Sequence, residues 1–184
     1  MTDRLDEQEL ARLCAEKDRL AEDELYIRYA GRLLTLCRRY SGSREEAEDL
    51  LHDSLIKALD NISSFKYTGK GSLYAWISRI TVNKALNNIR NRHVRFIPWN
   101  LFLAETVPEP DDDITLIPQE ALLDIISSLP DSQRAVFNLF CIEGYSHKEI
   151  AGMLGISEKG SSGLLAKARL QLKKKCNEYL RKSE

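Results

Sequence analysis

The segment that most constrains this chain runs from Leu129 to Arg169, LPDSQRAVFNLFCIEGYSHKEIAGMLGISEKGSSGLLAKAR. It reads as a capped helix, a glycine turn and a second helix. Ser146 and Glu149 form an S-x-x-E capping box, which ties down the free amides at the start of a helix. Ile150, Ala151 and Leu154 supply an inward face at helical spacing, Gly155 permits a tight turn, and Ile156 returns to the core. Ser157 is placed to cap the helix that follows. A unit of this shape presents its second helix to the major groove of DNA. The same capping and turn rules also build αα-corners in ordinary bundles, so the segment alone leaves both readings open.

The rest of the chain fits helix and loop, with no sustained two-residue alternation. Helices are expected over about Asp6 to Lys17 and Glu22 to Tyr40, the latter with Leu25, Leu33, Leu36 and Tyr40 among its apolar positions. Ser41-Gly42-Ser43 breaks the pattern, and Ser43 with Glu46 forms a second capping box that opens a helix to about Asn61. Ile62 to Lys70 reads as a loop, and after Gly71 Ser72 is placed to cap a helix reaching about Arg92. Val94 to Gln119 holds four of the five prolines and Asp111-Asp112-Asp113, the composition of a linker. The expected fold class is therefore all-α, two small helical domains at 1–95 and 120–184 joined by a flexible acidic linker over 96–119.

The net charge of −1 conceals strong segregation. Residues 1–60 hold ten basic and fifteen acidic side chains, while residues 61–104 hold seven basic ones and no acid. Residues 105–131 then carry eight acids and no base, and Lys159 to Lys182 carries eight bases against Glu178. Two basic blocks divided by an acidic stretch suggest two nucleic-acid surfaces. No apolar run approaches a membrane span, and the start MTDRLDEQEL lacks the apolar stretch of a secretory signal. Cys14, Cys37, Cys141 and Cys176 stand far apart, as do His52, His93 and His147. Reduced, mostly packed thiols are expected, with no metal, no cofactor and no catalytic constellation.

Three surfaces stand out. On the third helix Ala47, Leu50, Leu51, Leu55, Ala58 and Ile62 should be buried, leaving Glu45, Asp49, His52, Asp53, Ile56 and Asp60 outside. One apolar anchor ringed by carboxylates suits docking onto a basic protein, although a solvated helix with one stray Ile fits as well. The fourth helix and its loop combine Phe65, Tyr67, Tyr74 and Trp76 with Lys66, Lys70 and Arg79, the mixture that single-stranded nucleic acid needs. Trp76 is expected in the core, and Tyr67, in the loop, is the better base contact. Asn83, Asn87 and Arg90 share one side of that helix with Lys84 alongside. The third surface is the helix from Ser157 to about Lys175, with Lys159, Lys167 and Arg169 for phosphates and Ser161 or Ser162 for a base edge.

In this order the surfaces resemble the extracytoplasmic-function (ECF) sigma factors of bacterial RNA polymerase, over about Leu20 to Lys175. AEDLLHDSLIKALDNISSF resembles the part of sigma region two that docks on the β′ clamp helices, and GSLYAWISRITVNKALNNIRNR the part that melts and reads the minus-ten element. The helix-turn-helix resembles sigma region four, which binds the minus-thirty-five element. The resemblance implies a cytoplasmic transcription initiation factor, not an enzyme, whose partners are core RNA polymerase (β′ clamp helices and β flap) and promoter DNA. It assigns Asp49, His52, Asp53, Ile56 and Lys57 to polymerase and Lys66, Tyr67, Lys70, Arg79, Asn83, Lys84, Asn87 and Arg90 to the minus-ten element. Ser157, Lys159, Ser161, Ser162, Lys167 and Arg169 fall to the minus-thirty-five element. The loop from Ser63 to Lys70 would take a flipped non-template base, and the acidic linker would thread toward the RNA exit path. Control by an anti-sigma factor, usually membrane-tethered, is also implied, with no insertion of this chain into the membrane.

Two departures from the family pattern bear on mechanism. Asn87 stands where an aspartate is usual. The usual Gly-Thr-x-Lys-Ser-basic run is here Lys159-Gly160-Ser161-Ser162-Gly163-Leu164, so Ser162 and Leu164 replace two customary cations. With two glycines each costing a helix about 1 kcal/mol, a weakly preformed recognition helix that leans on polymerase is expected. The apolar residues Phe96, Ile97, Trp99, Leu101 and Phe102 are expected to cover their own domain.

Overall fold

A computed structural model describes residues 5–93 and 117–183, all of them helix, turn or loop with no strand among them. The expectations for the linker, including its flexibility, its threading and the packing of Phe96 to Phe102, lie outside the described residues. The chain divides into two compact units. The first joins the residues up to Cys37 with Arg44–Ala85, and the second joins Arg38–Ser43 with the chain from Leu86 onward.

In the first unit α1 spans Glu7–Ala15, α2 Arg19–Tyr40, α3 Arg44–Asp60 and α4 Ser72–His93, with α2 and α4 running on past the bounds of the unit. α1 starts where it does because Asp6 accepts the Glu9 amide at 2.7 Å, with Glu7 and Glu9 complementing the positive end of the helix. It stops at Ala15, Lys17 beyond its cap reverses the chain at a φ of 63°, and Asp18 then accepts the Ala21 amide at 3.0 Å to begin α2. Leu10, Cys14, Leu25, Leu33, Leu50, Leu55, Leu73 and Ile77 form the core, each at most 5% exposed. Two small polar side chains sit within it at no unpaired cost, because Ser54 and Thr81 donate to the carbonyls of Leu50 and Ile77 one turn back. A short 3₁₀ turn, Ile62–Ser64, follows α3 and drops Ile62 into the core.

In the second unit α5 spans Gln119–Ser127, α6 Asp131–Phe137, α7 His147–Leu154 and α8 Glu158–Ser183. α8 outruns the expected end near Lys175 by two turns, because its last turns carry an apolar stripe. Cys176 packs there with Ile117 and Ile125, and Leu172, Tyr179 and Leu180 lie against them. Between α6 and α7 the helix widens into a π turn, Asn138–Ile142, which sequence periodicity does not report. Arg134 is 1% exposed and serves as a structural clip. Its guanidinium donates to the carbonyls of Ser127 and Leu129 at 2.7 and 2.6 Å, and pairs with Asp131. It thus satisfies the end of α5 and the start of α6 together.

Three of the four cysteines, Cys14, Cys37 and Cys176, are buried and unbridged, and Cys141 is exposed. Burial raises the Cys14 thiol to about 11 and the Cys37 thiol to about 12, so both stay protonated near neutrality. Among the described residues no helix is long and apolar enough to cross a membrane.

Candidate nucleic-acid interface

α3 is amphipathic in the expected sense. Ala47, Leu50, Leu51, Leu55, Ala58 and Ile62 are buried, while Glu45, Asp49, His52, Asp53, Ile56, Lys57 and Asp60 are exposed. Ile56 keeps 59% of its surface open amid these charges, a position that contributes little to the fold.

The loop before α4 is held open by glycines, with Gly69 at φ 130° and Gly71 at φ 92°. Ser72 does not cap the helix as its position suggested. It forms the first residue of α4, and its hydroxyl instead accepts the Thr68 amide at 3.4 Å. The cap comes from 64 residues away. Glu7 Oε2 accepts the amides of Gly71 at 2.9 Å and Leu73 at 3.2 Å, while Tyr29 donates its hydroxyl to Oε1 at 3.0 Å.

Loop and α1 together enclose a groove of about 310 Å3, walled by Gln8, Ala11 and Arg12 on one side and Ser63, Phe65 and Tyr67 on the other. Tyr67 is 43% exposed at its rim. Trp76 is half-buried rather than core, tilted against Phe65 with ring centroids 5.7 Å apart. It is displaced outward because Leu73, three residues before it, and Ile77, the next residue, take the inward positions. Sequence reasoning missed Glu7, Gln8 and Arg12, since nothing local ties an N-terminal helix to a loop so distant in the chain.

Lys66, Lys70, Arg79, Asn83, Asn87 and Arg90 are all exposed. Arg90 hydrogen-bonds the Asn87 side-chain oxygen, so the amide stands in for the customary aspartate as a neutral acceptor. Lys84 differs from its neighbours. It is only 25% exposed and pairs with Asp53 of α3 at 2.9 Å, joining two residues assigned to different partners.

In the second unit the helix-turn-helix forms as its residues dictate. Ser146 caps α7 with a reciprocal bond from Glu149, whose carboxyl is lowered by that hydroxyl and amide, and Gly155 turns the chain at φ 69°. Ser157 caps α8 through the Gly160 amide at 3.0 Å. A Cβ on Gly160 would lie 3.1 Å from the Ser157 hydroxyl, so the bare glycine leaves room for that cap.

Two expectations for this helix are corrected. Ser161 is fully buried and hydrogen-bonds His147 Nδ1 at 2.9 Å, so it fastens α8 to α7 and cannot reach a base edge. Leu164 is 6% exposed and faces the core, so its position has no cation to lose. The register of α8 explains both, for Ser161, Leu164, Leu165 and Ala168 lie on its inner side. Ser157, Lys159 and Ser162 remain exposed at its beginning. Lys167 is half-buried, and Arg169 lies over the Phe140 ring at 5.9 Å with one nitrogen 3.8 Å from Cys141 Sγ. Phe140 in turn stacks on His147 at 4.5 Å.

Comparison with known proteins identifies the family. Residues 25–95 match the Sigma-70 region 2 family and residues 119–172 match Sigma-70 region 4. These matches place the chain among bacterial sigma factors. It is 31% identical to the ECF RNA polymerase sigma factor SigM of Mycobacterium tuberculosis over 84% of this chain and 76% of that one. It is 30% identical to the RNA polymerase sigma factor YlaC of Bacillus subtilis over 86% and 93%. A solved structure of the sigma factor RpoE with the anti-sigma factor NepR, from Bartonella quintana, is similar at TM-score 0.48 and 20% identity over 84% of this chain and 96% of that one. The chain belongs to the ECF RNA polymerase sigma factors. It is a transcription initiation factor and not an enzyme, binding core RNA polymerase and directing it to promoter DNA.

Proposed function

We propose that three surfaces divide this work. The α3 face of Asp49, His52, Asp53, Ile56 and Lys57 docks on the β′ clamp helices. Carboxylates steer it onto a basic partner and Ile56 supplies the buried anchor. The loop and α4 take the minus-ten element. Lys66, Lys70 and Arg79 meet non-template phosphates, Asn83, Asn87 and Arg90 read or flank bases, and a flipped base stacks on Tyr67 in the groove against α1. Flipping costs a few kcal/mol of stacking, which ring contact and neighbouring cations must offset.

Ser157, Lys159 and Ser162 approach the minus-thirty-five element, and the β flap receives the same region. With Ser161 and Leu164 turned inward, Lys167 half-buried and Arg169 exposed but lying over Phe140, few groups besides Lys159 stand open to phosphate at the start of the helix. The helix-turn-helix then depends on polymerase for its hold on DNA. In this division residues 1–95 serve polymerase and the minus-ten element, 96–119 link, and 120–184 serve the minus-thirty-five element. The protein works in the cytoplasm, under an anti-sigma factor of the kind usually tethered to the membrane.

The observation that carries this reading is the open Ile56 in an acidic face whose opposite side is fully buried, on the helix that precedes an acid-free basic one. The test is transcription by purified core polymerase on a library of templates randomised over both promoter elements. Defined sequences should be enriched with this protein present and none without it; random transcripts in both cases would overturn the reading.

A further inference from the structure

The first helix, α1, lies wholly outside the part of the chain that matches Sigma-70 region 2, yet it and the residues just before it make two specific attachments to the fold. Arg28 of α2 donates to the Leu5 carbonyl at 2.8 Å, fixing where α1 begins. Glu7, in the first turn of α1, then spends both carboxylate oxygens inward, on Tyr29 and on the amides of Gly71 and Leu73. Tyr29 is 4% exposed, and burial together with the Glu7 carboxylate raises its phenol to about 12, so it remains a donor to that carboxylate.

Within the Gly69–Gly71 turn the Ser72 amide donates to the Gly69 carbonyl at 3.1 Å and the Thr68 amide to the Ser72 hydroxyl at 3.4 Å, both bonds local to the loop; Glu7 is what ties it to α1. Its two glycines adopt conformations open to many alternatives, and a Cβ at either would meet nothing within 4 Å. Charge-assisted bonds to amides at a helix start are strong and directional, and here the two, from Gly71 and Leu73, go to one carboxylate oxygen of Glu7 on α1, the helix whose next residues wall the groove.

We propose that Glu7 is a positioning residue for promoter reading: by clamping the Gly71–Leu73 amides to α1 it sets the Phe65–Tyr67 wall of the groove at the width a single base requires. This rests on the assignment of that groove to a flipped minus-ten base. Glu7 touches no DNA in this scheme; it acts through the loop, limiting the conformations among which Tyr67 must be selected when the base arrives.

The experiment uses the full chain with core polymerase and the same randomised template library, and reads the preference for one base over the other three at each minus-ten position. Glu7→Ala is expected to reduce the preference at the flipped position about tenfold, as loss of charge-assisted bonds would. Glu7→Gln, which keeps one acceptor, should fall between, and Tyr29→Phe, which removes only the hydroxyl holding Glu7, should reduce it about twofold. Core affinity should stay within about twofold for all three, because α3 is untouched. Tyr67→Ala reports on the groove itself. If it lowers the preference while Glu7→Ala leaves it as in the unaltered protein, or if Glu7→Ala lowers transcription equally from all templates, the positioning role is overturned. If Tyr67→Ala has no effect either, the assignment of the groove is wrong and the role of Glu7 goes with it.

Discussion

Replacing Ile56 by alanine isolates the apolar part of polymerase docking. The side chain is 59% exposed, so most of its surface is still available to a partner. Fully burying an isoleucine stabilises by about 1.5–3 kcal/mol, and the exposed share of that is roughly 1–2 kcal/mol. Alanine would recover only a small part, so affinity for core polymerase should fall roughly five- to tenfold. Folding should not suffer. Alanine is the better helix former, and what Ile56 buries within α3 is minor, so the melting temperature should hold or rise slightly. Titration of labelled protein with core polymerase gives the affinity, and repeating it at several salt concentrations separates two contributions. The carboxylates around Ile56 make the absolute affinity salt-dependent, whereas the ratio between Ile56→Ala and the unaltered protein should stay constant. An affinity within twofold of the original, in a protein that melts normally, would refute the argument that Ile56 is the anchor.

The ion pair between Asp53 and Lys84 invites a double-mutant cycle: Asp53→Asn and Lys84→Met should couple by about 0.5 kcal/mol in thermal unfolding, as exposed pairs do, and additivity to within error would show that the contact is not maintained in solution. Lys159→Ala should lower the salt slope of promoter binding by the holoenzyme by about one without changing its sequence preference, which filter binding across a salt series would reveal. Arg134→Ala leaves Asp131 and the Ser127 and Leu129 carbonyls without their buried partner, so urea unfolding should show a loss of roughly 3 kcal/mol; a loss below 1 kcal/mol would mean the clip is dispensable. The Cys37 thiol is raised from 9.0 to about 12 by burial, so the folded state holds a proton that the unfolded chain gives up first. Its contribution is complete below about pH 9 and is lost as pH rises toward 12, so melting temperature should fall over that window, and less steeply in Cys37→Ala.

Much of the architecture was legible because its causes are local. Ser146 with Glu149, Gly155 and Ser157 define α7, the turn and the start of α8 by hydrogen bonds that span three residues, and all of them form. The acidic and apolar sides of α3 follow from a 3.6-residue period read against composition, and Ile56 stands out for the same reason. Errors arose where a side chain's role depends on a partner far along the chain. Ser72 looked like a cap by proximity, but Glu7 arrives first with a carboxylate that two amides prefer to a hydroxyl. Ser161 looked like a DNA contact until His147 and the inner side of α8 claimed it. The π turn at Asn138–Ile142 changes how Phe140 and Cys141 lie relative to Arg169, and no propensity encodes it.

What the sequence determined alone is therefore which helices exist, where most begin, and which surfaces carry which charge, since capping, periodicity and charge are properties of neighbouring residues. Tertiary structure decided which of the outward candidates stay outward. Packing α7 on α8 turns Ser161 and Leu164 inward, packing α3 on α4 commits Lys84 to Asp53, and seating α1 against the loop builds a groove from Gln8, Arg12 and Tyr67. The physical reason is common to all three. A buried or paired group takes its state from the atoms brought against it, and those atoms are chosen by the fold rather than by the residues beside it in the chain.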